Sequence, residues 1–178
     1  FNEDFFVSDR SDSLWLKAVR MEKTLNTRDN EGALALSPDG RFIFFAACNR
    51  EGGFGSCDIY RSERKGGNWS EPENLGPVVN SPQWDSQPTF SSDGKTLYFA
   101  SKRQGGKGSS DIWKTELLHD NTWSVPVNLG DNINTSAEEM APFIHPDDQT
   151  LYFSSKGHQG MGGLDLFLSR KAVDGSWQ

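Results

Sequence analysis

The chain repeats itself every 54 residues, and that step limits its possible folds more than any other feature. Ser37-Pro38-Asp39-Gly40 returns as Ser91-Ser92-Asp93-Gly94 and again as His145-Pro146-Asp147-Asp148. Asn26, Asn80 and Asn134 keep the same step, as do Trp69, Trp123 and Trp177, and Asn74-Leu75-Gly76 with Asn128-Leu129-Gly130. A fixed period of this length marks stacked supersecondary units. After each turn signal comes an aromatic and branched run, Arg41 to Ala46, Thr96 to Ser101 and Thr150 to Ser155, which suits a pleated, buried surface. A glycine-rich loop follows, and Asp58-Ile59-Tyr60, Asp111-Ile112-Trp113 or Asp165-Leu166-Phe167 opens the next strand. With a first strand around Gln87 to Phe90 and a fourth around Trp123 to Val127, each unit reads as four short antiparallel strands, the blade of a β-propeller. No segment carries sustained 3.6-residue apolar periodicity, and Pro72, Pro82, Pro88, Pro126 and Pro142 would interrupt a helix.

The expected fold is therefore all-β: a propeller segment over 1–178 with a partial blade at 1–25 and repeats at 26–79, 80–133 and 134–178. Phe5 to Ser8 and Leu14 to Leu16 read as the second and third strands of the opening blade, joined by a shortened loop. At 54 residues per repeat the chain holds about 3.3 units, whereas propellers typically close with 4 to 8 blades. The segment reads as an incomplete ring, closed by further blades of the polypeptide or by another chain. Phe1 in place of Met reads as a trimmed start.

Composition narrows the partners. With 25 acidic against 18 basic residues the formal charge is −7, and no Lys/Arg cluster stands out. Nucleic acid and anionic lipid are poor fits, since both are bound through many paired cations. No apolar run approaches the ~20 residues of a membrane-crossing helix, so no direct membrane span is expected. Catalytic signatures are missing too: the sequence has no Gly-x-Ser-x-Gly elbow, no His-Glu-x-x-His, and only three histidines. His145 and His158 fall at opposite ends of a strand, roughly 20 Å apart at ~3.3 Å per residue, too far to share a metal. Gly105-Gly106-Lys107-Gly108 lacks the Lys-Ser/Thr order of a phosphate loop and joins two strands. No cofactor is expected.

The repeat residues have structural readings. Asp39-Gly40 and Asp93-Gly94 are turn chemistry, and Asp147 with Asp148 is the third copy, with aspartate replacing glycine. Asp58, Asp111 and Asp165 read either as metal carboxylates or, better, as residues bonding their own blade's backbone, because a radial repeat holds them apart. Trp69, Trp123 and Trp177 read as packing between outer strands. A candidate binding face remains at the end where the second-to-third-strand loops meet the connections between blades. It gathers Arg50, Phe54, Trp84, Asp85, Lys102, Arg103, Lys107, Glu139, Lys156, His158 and Met161, and is either a contact surface or a solvated rim.

Cys48 and Cys57 flank one of these loops, and an antiparallel hairpin would set them opposite one another within reach of a disulfide. A reduced pair or a two-ligand metal site is the alternative. The corresponding positions elsewhere, Lys102 with Ser110 and Lys156 with Leu164, show that the blade does not require cysteine there.

Ser37-Pro38-Asp39-Gly40-Arg41, the strand after it, the glycine-rich loop and Asp58-Ile59-Tyr60 resemble the WD-like repeat of TolB-type β-propellers. Asn74-Leu75-Gly76, Trp84 to Pro88, Leu97 to Ser101 and Gly160 to Phe167 are similar to the propeller region of OmpA-family envelope proteins of Bacteroidota. That resemblance implies a non-enzymatic module of a periplasmic, outer-membrane-associated protein, often followed by a peptidoglycan-binding domain. The expected function is an interaction scaffold with a protein, peptidoglycan or other glycan partner. The rival expectations are an enzyme-associated propeller, as a peptidase gate or glycan lyase, and a sugar-binding module in which Trp84 and Phe54 form an open aromatic platform.

Overall fold

The structure, a computed structural model, describes residues 3–178; Phe1 and Asn2, the first two positions of the expected opening blade, lie outside the described residues. The chain opens with β1 (Phe6–Val7), β2 (Arg10–Ser11), β3 (Leu14–Trp15) and β4 (Val19–Arg20). The first full sheet holds β5 (Asn30–Leu36), β6 (Phe42–Cys48) and β7 (Cys57–Lys65), with β8 (Asn68–Trp69) and β9 (Glu73–Asn74) both paired to β7 as two pieces of one outer strand. A single helical turn, α1 (Gly76–Val79), leads to the second sheet of β10 (Asp85–Phe90), β11 (Thr96–Ser101), β12 (Asp111–Glu116) and β13 (Val127–Asn128). The third is β14 (Glu139–Ile144), β15 (Thr150–Ser155) and β16 (Asp165–Arg170), beside which Trp177 bridges Lys171 where an outer strand begins. All pairings within the sheets are antiparallel, the main strands of the three full sheets follow chain order, and β11 and β12 cover the residues expected for second and third strands. The protein is a β-propeller segment built of such blades.

The opening residues need a correction. Phe6 pairs with Arg20 and Val7 with Val19, while Arg10 pairs with Trp15 and Ser11 with Leu14, so 6–20 forms one hairpin. These are third and fourth strands, not second and third. The decisive contacts are those of Asn26, whose Oδ1 accepts from Phe5 N and whose Nδ2 donates to Phe5 O. Asn80 holds Ile59, and Asn134 holds Ile112, through the same two bonds. Phe5 is therefore the counterpart of Ile59, and Trp15, 54 residues before Trp69, is the fourth-strand tryptophan.

The core lies between blades. Leu25, Ile43 and Phe45 pack with Phe5 at the first junction; Val79, Leu97 and Phe99 with Ile59 at the second; Ile133, Leu151 and Phe153 with Ile112 at the third. Each cluster thus joins one third strand to the next blade's connection and second strand. Burying a side chain of this kind contributes about 1.5–3 kcal/mol, which makes every junction a major source of stability. The inner strands β5, β10 and β14 lie side by side, β10 packing against both others. Each carries a bulge with a non-glycine residue at positive φ: Ala33 at 48°, Gln87 at 58° and Ala141 at 50°.

Candidate functional site

At the loop end, the expected binding residues are largely used by the fold itself. Asp58 accepts from Phe54 N (2.6 Å) and Gly55 N (3.0 Å), and Asp165 from Met161 N (2.7 Å) and Gly162 N (3.0 Å). Asp111 likewise accepts from Lys107 N and Gly108 N, so the three aspartates order their own loops. The first two of those loops, those of Asp58 and Asp111, then dock on the next blade: Ser56 N donates to Gln83 O and Ser109 N to Ala137 O. The approach is close enough that a Cβ on Gly55 would lie 1.9 Å from Gln83 O, and one on Gly108 2.1 Å from Ala137 O.

Asp85 and Glu139, expected on the exposed face, are fully buried at the starts of β10 and β14. Asp85 accepts from Ser81 N and Oγ, Ser101 Oγ and Arg103 Nη2. Glu139 accepts from Thr135 N and Oγ1 and from Ser155 Oγ. Glu31, buried one repeat earlier, accepts from Thr27 N and Oγ1. A buried carboxylate is tolerated only when so satisfied. The signal was in the sequence: Thr27, Ser81 and Thr135 precede Glu31, Asp85 and Glu139 by four positions at the 54-residue step.

Arg50, Arg103 and His158 also turn inward. Arg50 Nη2 donates to Thr24 O, Arg103 Nη2 to Val79 O, and His158 Nε2 to Ile133 O, each tying a loop to the connection that enters the same blade. Their heads stack on the blade's aromatics, Arg50 over Tyr60 at 5.3 Å and Arg103 over Phe99 at 4.9 Å and Trp113 at 5.2 Å, while the His158 ring lies 5.2 Å from that of Phe167. Of the remaining face residues, Lys102 lies over Trp84 at 5.5 Å, Lys107 pairs with Asp131, and Lys156 pairs with Glu138. Lys102 thus covers the half-buried Trp84 ring, and only Phe54 and Met161 remain as exposed large apolar groups of the set. Among the described residues no cluster of three or more His, Cys, Asp or Glu is arranged to hold a metal. Cys48 and Cys57 face each other across β6 and β7 and are joined in a disulfide, with Cα atoms 3.9 Å apart.

The turn end is different. Ser37 Oγ and Arg41 N donate to Asp39 Oδ1, and Ser91 Oγ and Lys95 N to Asp93 Oδ1. These bonds, the serine hydroxyl's foremost, hold both carboxyls below the usual carboxylate range. Gly40 and Gly94 take positive φ (67° and 70°), and Asp148 adopts the same conformation at 55°. Beside these turns, the ends of β5, β10 and β14 line a groove of about 500 Å³ that includes Leu34, Leu36, Pro88, Pro142 and Phe143. None of its lining residues is charged, and Leu34, Leu36 and Phe143 are exposed.

Trp69 and Trp123 pack half-buried against the first two junction cores, and Trp177 is buried in the third. With this architecture in place, solved structures offer a comparison. TolB from Acinetobacter baumannii superimposes with a TM-score of 0.59 at 18% identity, over 91% of this chain and 34% of that one. The fold is a β-propeller like that of TolB. A putative TolB from Agrobacterium tumefaciens gives a TM-score of 0.59 at 21% identity, over 96% of this chain and 58% of that one. An α-L-arabinofuranosidase from Lactobacillus brevis gives 0.55 at 12% identity, over 94% and 60%. The chain therefore spans between about a third and three fifths of these proteins, and at such identities the likeness concerns fold alone. No protein-family model and no curated protein matches the sequence.

Proposed function

We propose that the chain is a non-catalytic interaction scaffold of the bacterial cell envelope, periplasmic and associated with the outer membrane, with a protein or cell-wall partner. The observation that carries the reading is the uncharged groove along the inner strands. In a chain with 24% charged residues, a concave surface of about 500 Å³ without a charged lining residue is suited to an apolar contact. The TolB-type fold and the sequence resemblance to OmpA-family propeller regions support the envelope setting, and the Cys48–Cys57 disulfide fits an oxidising compartment. In this reading 1–25 belongs to a blade shared with other strands, 26–79, 80–133 and 134–178 are successive repeats, and further blades or another chain complete the ring.

The test is co-sedimentation with purified peptidoglycan and cross-linking to outer-membrane protein extracts, comparing the wild-type chain with L36D/F143D. Specific retention lost by about tenfold or more in the variant is expected. Retention unaffected by the substitutions would remove the groove from the reading. Turnover of glycoside or peptide substrates above background would replace it with the enzyme-associated alternative.

A further inference from the structure

In each repeat, a residue at the end of the third strand or just beyond it faces the tryptophan of the fourth. Arg64 pairs with Trp69, Leu117 with Trp123, and Lys171 with Trp177. Their backbones are equivalent as well, since the three N–H groups donate to Arg41 O, Lys95 O and Gln149 O. In two of the three a cation lies over the indole: Arg64 Cζ is 6.0 Å from the Trp69 ring centre and Lys171 Nζ 5.1 Å from that of Trp177. The middle repeat has Leu117 and no such cation.

Where that cation is absent, a cavity of about 250 Å³ opens between the first two full sheets. Phe42, Phe44, Phe90 and Trp123 line it, together with Asp39 and Asp93. One junction further on, Tyr98, Lys114 and Trp177 border a wider space of about 530 Å³, and there the chain supplies its own ammonium, Lys171. There Lys171 Nζ donates to Asp148 O, and the Asp148 carboxylate accepts from Ser92 N and Oγ. Gly94 occupies the Asp148 position in the first cavity and Leu117 the Lys171 position, so neither group has a counterpart there.

The charges suit a cation. Asp39 and Asp93 make their turn hydrogen bonds through Oδ1, which leaves each Oδ2 uncommitted. Arg61 also lines the cavity, paired with Glu73 at 2.9 Å, and nearby Arg41 is paired with Glu63 at 2.7 Å. Both guanidiniums lie over Phe42, at 5.9 Å and 5.1 Å, which leaves Phe44, Phe90 and Trp123 as the rings without a cation of the chain's own over them among the described residues. Aromatic faces beside carboxylates attract alkylammonium groups through the ring quadrupole and Coulomb attraction together. We propose that this cavity binds an alkylammonium group, the side chain of a lysine or a free amine of similar size, in the place that Lys171 fills with the chain's own ammonium one repeat later. The site goes beyond the scaffold reading and stands without it.

The test is NMR titration of the intact chain, following the Trp123 indole N–H, with n-butylammonium chloride and with n-butanol as the uncharged counterpart at matched ionic strength. A saturable shift with butylammonium, weaker by about tenfold with butanol, is expected. L117K places an internal ammonium at the site and should weaken binding by about tenfold or more. D39N/D93N keeps the turn oxygens while removing the charge and should do the same. The other five indole signals, unmoved, show that each variant is folded. Nα-acetyl-lysine methylamide separates the sources: tighter binding than butylammonium assigns a polypeptide lysine, weaker binding a small amine. No saturable shift at Trp123, equal affinity for butanol, or unchanged binding in L117K would overturn the site.

Discussion

At the loop end of the sheets Arg50, Arg103 and His158 fold back onto the chain's own carbonyls and rings, whereas at the turn end Leu36, Phe143 and an aromatic cavity stay open. The loop end looks like a binding face in the sequence because it collects charge and aromatic residues. Those residues are there because blade-to-blade docking buries backbone carbonyls and carboxylates, each of which needs a donor. The turn end reads as simple turn chemistry, yet beside its turns Leu34, Leu36 and Phe143 stay exposed and leave surface for something else. Chemical variety in a repeat protein therefore marks the joints first. Open sites are better sought where one repeat lacks a group that its neighbours supply.

The largest expected effect breaks a joint at the loop end. Asp85 is fully buried and its Oδ1 lies 2.7 Å from Arg103 Nη2, whose side chain is only 11% exposed. Asp85→Ala leaves that guanidinium without its counter-charge, and removing one partner of a buried pair costs about 3–5 kcal/mol. Urea unfolding should show the loss, while Phe143→Ser at the turn end should stay within about 0.5 kcal/mol of wild type. Equal effects at the two positions would erase the contrast between the ends.

The disulfide comes next. Cys48 and Cys57 close a loop with a sequence separation of 9, for which chain entropy gives about 2–3 kcal/mol. C48S/C57S should lose that amount and remain folded, since Lys102 with Ser110 and Lys156 with Leu164 fill the same positions in working blades. Titration of the unreduced, denatured wild-type chain should find no free thiol. Two free thiols would refute the bridge and remove one support of the periplasmic reading.

Asn80→Ala is expected to cost about 1–3 kcal/mol, because it strips the buried Ile59 N–H and carbonyl of their partner. Chemical unfolding of the equivalent Asn26 and Asn134 variants should give losses of the same size, and a negligible loss at all three would remove the asparagine from the joint.

Much of this was legible beforehand. The 54-residue step located β11 and β12 residue for residue and put Cys48 opposite Cys57. It also contained the opening hairpin's true position, in Asp4, Trp15 and Asn26, but Arg20 stands where Asn74 and Asn128 stand in later repeats and hides the match. Arg20 pairs with Asp4 at 2.7 Å, where Asn74 Nδ2 donates to Asp58 and Asn128 Nδ2 to Asp111 in the later repeats. The burial of Asp85 and Glu139 was not legible from residue type, because a carboxylate reads as exposed until its donors are located. Those donors sit four residues before and 16 residues after, on separate elements that only the folded sheet brings together.

The smallest effect belongs to the turn end and is a pH dependence. Asp147 accepts from Gln149 N, Thr150 N and Thr150 Oγ1, and these bonds, led by the one from Gln149 N, lower its pKa from 3.8 to about 2. The folded-state value lies below the unfolded one, so the stabilisation is fully present above about pH 4 and is lost as pH falls towards 2. The group is solvent-exposed, and the contribution is screened accordingly. Asp147→Asn keeps an acceptor for the turn but has no proton to gain. Measured in an H145Q background, which removes the imidazole 3.1 Å from the Asp147 carboxylate, the difference in melting temperature made by Asp147→Asn should therefore be constant above about pH 4 and shrink steadily below it. A difference that stays flat from neutral pH to pH 2 would mean that ionised Asp147 does not hold this turn, and that the turn end is as indifferent to its carboxylates as the loop end is dependent on its own.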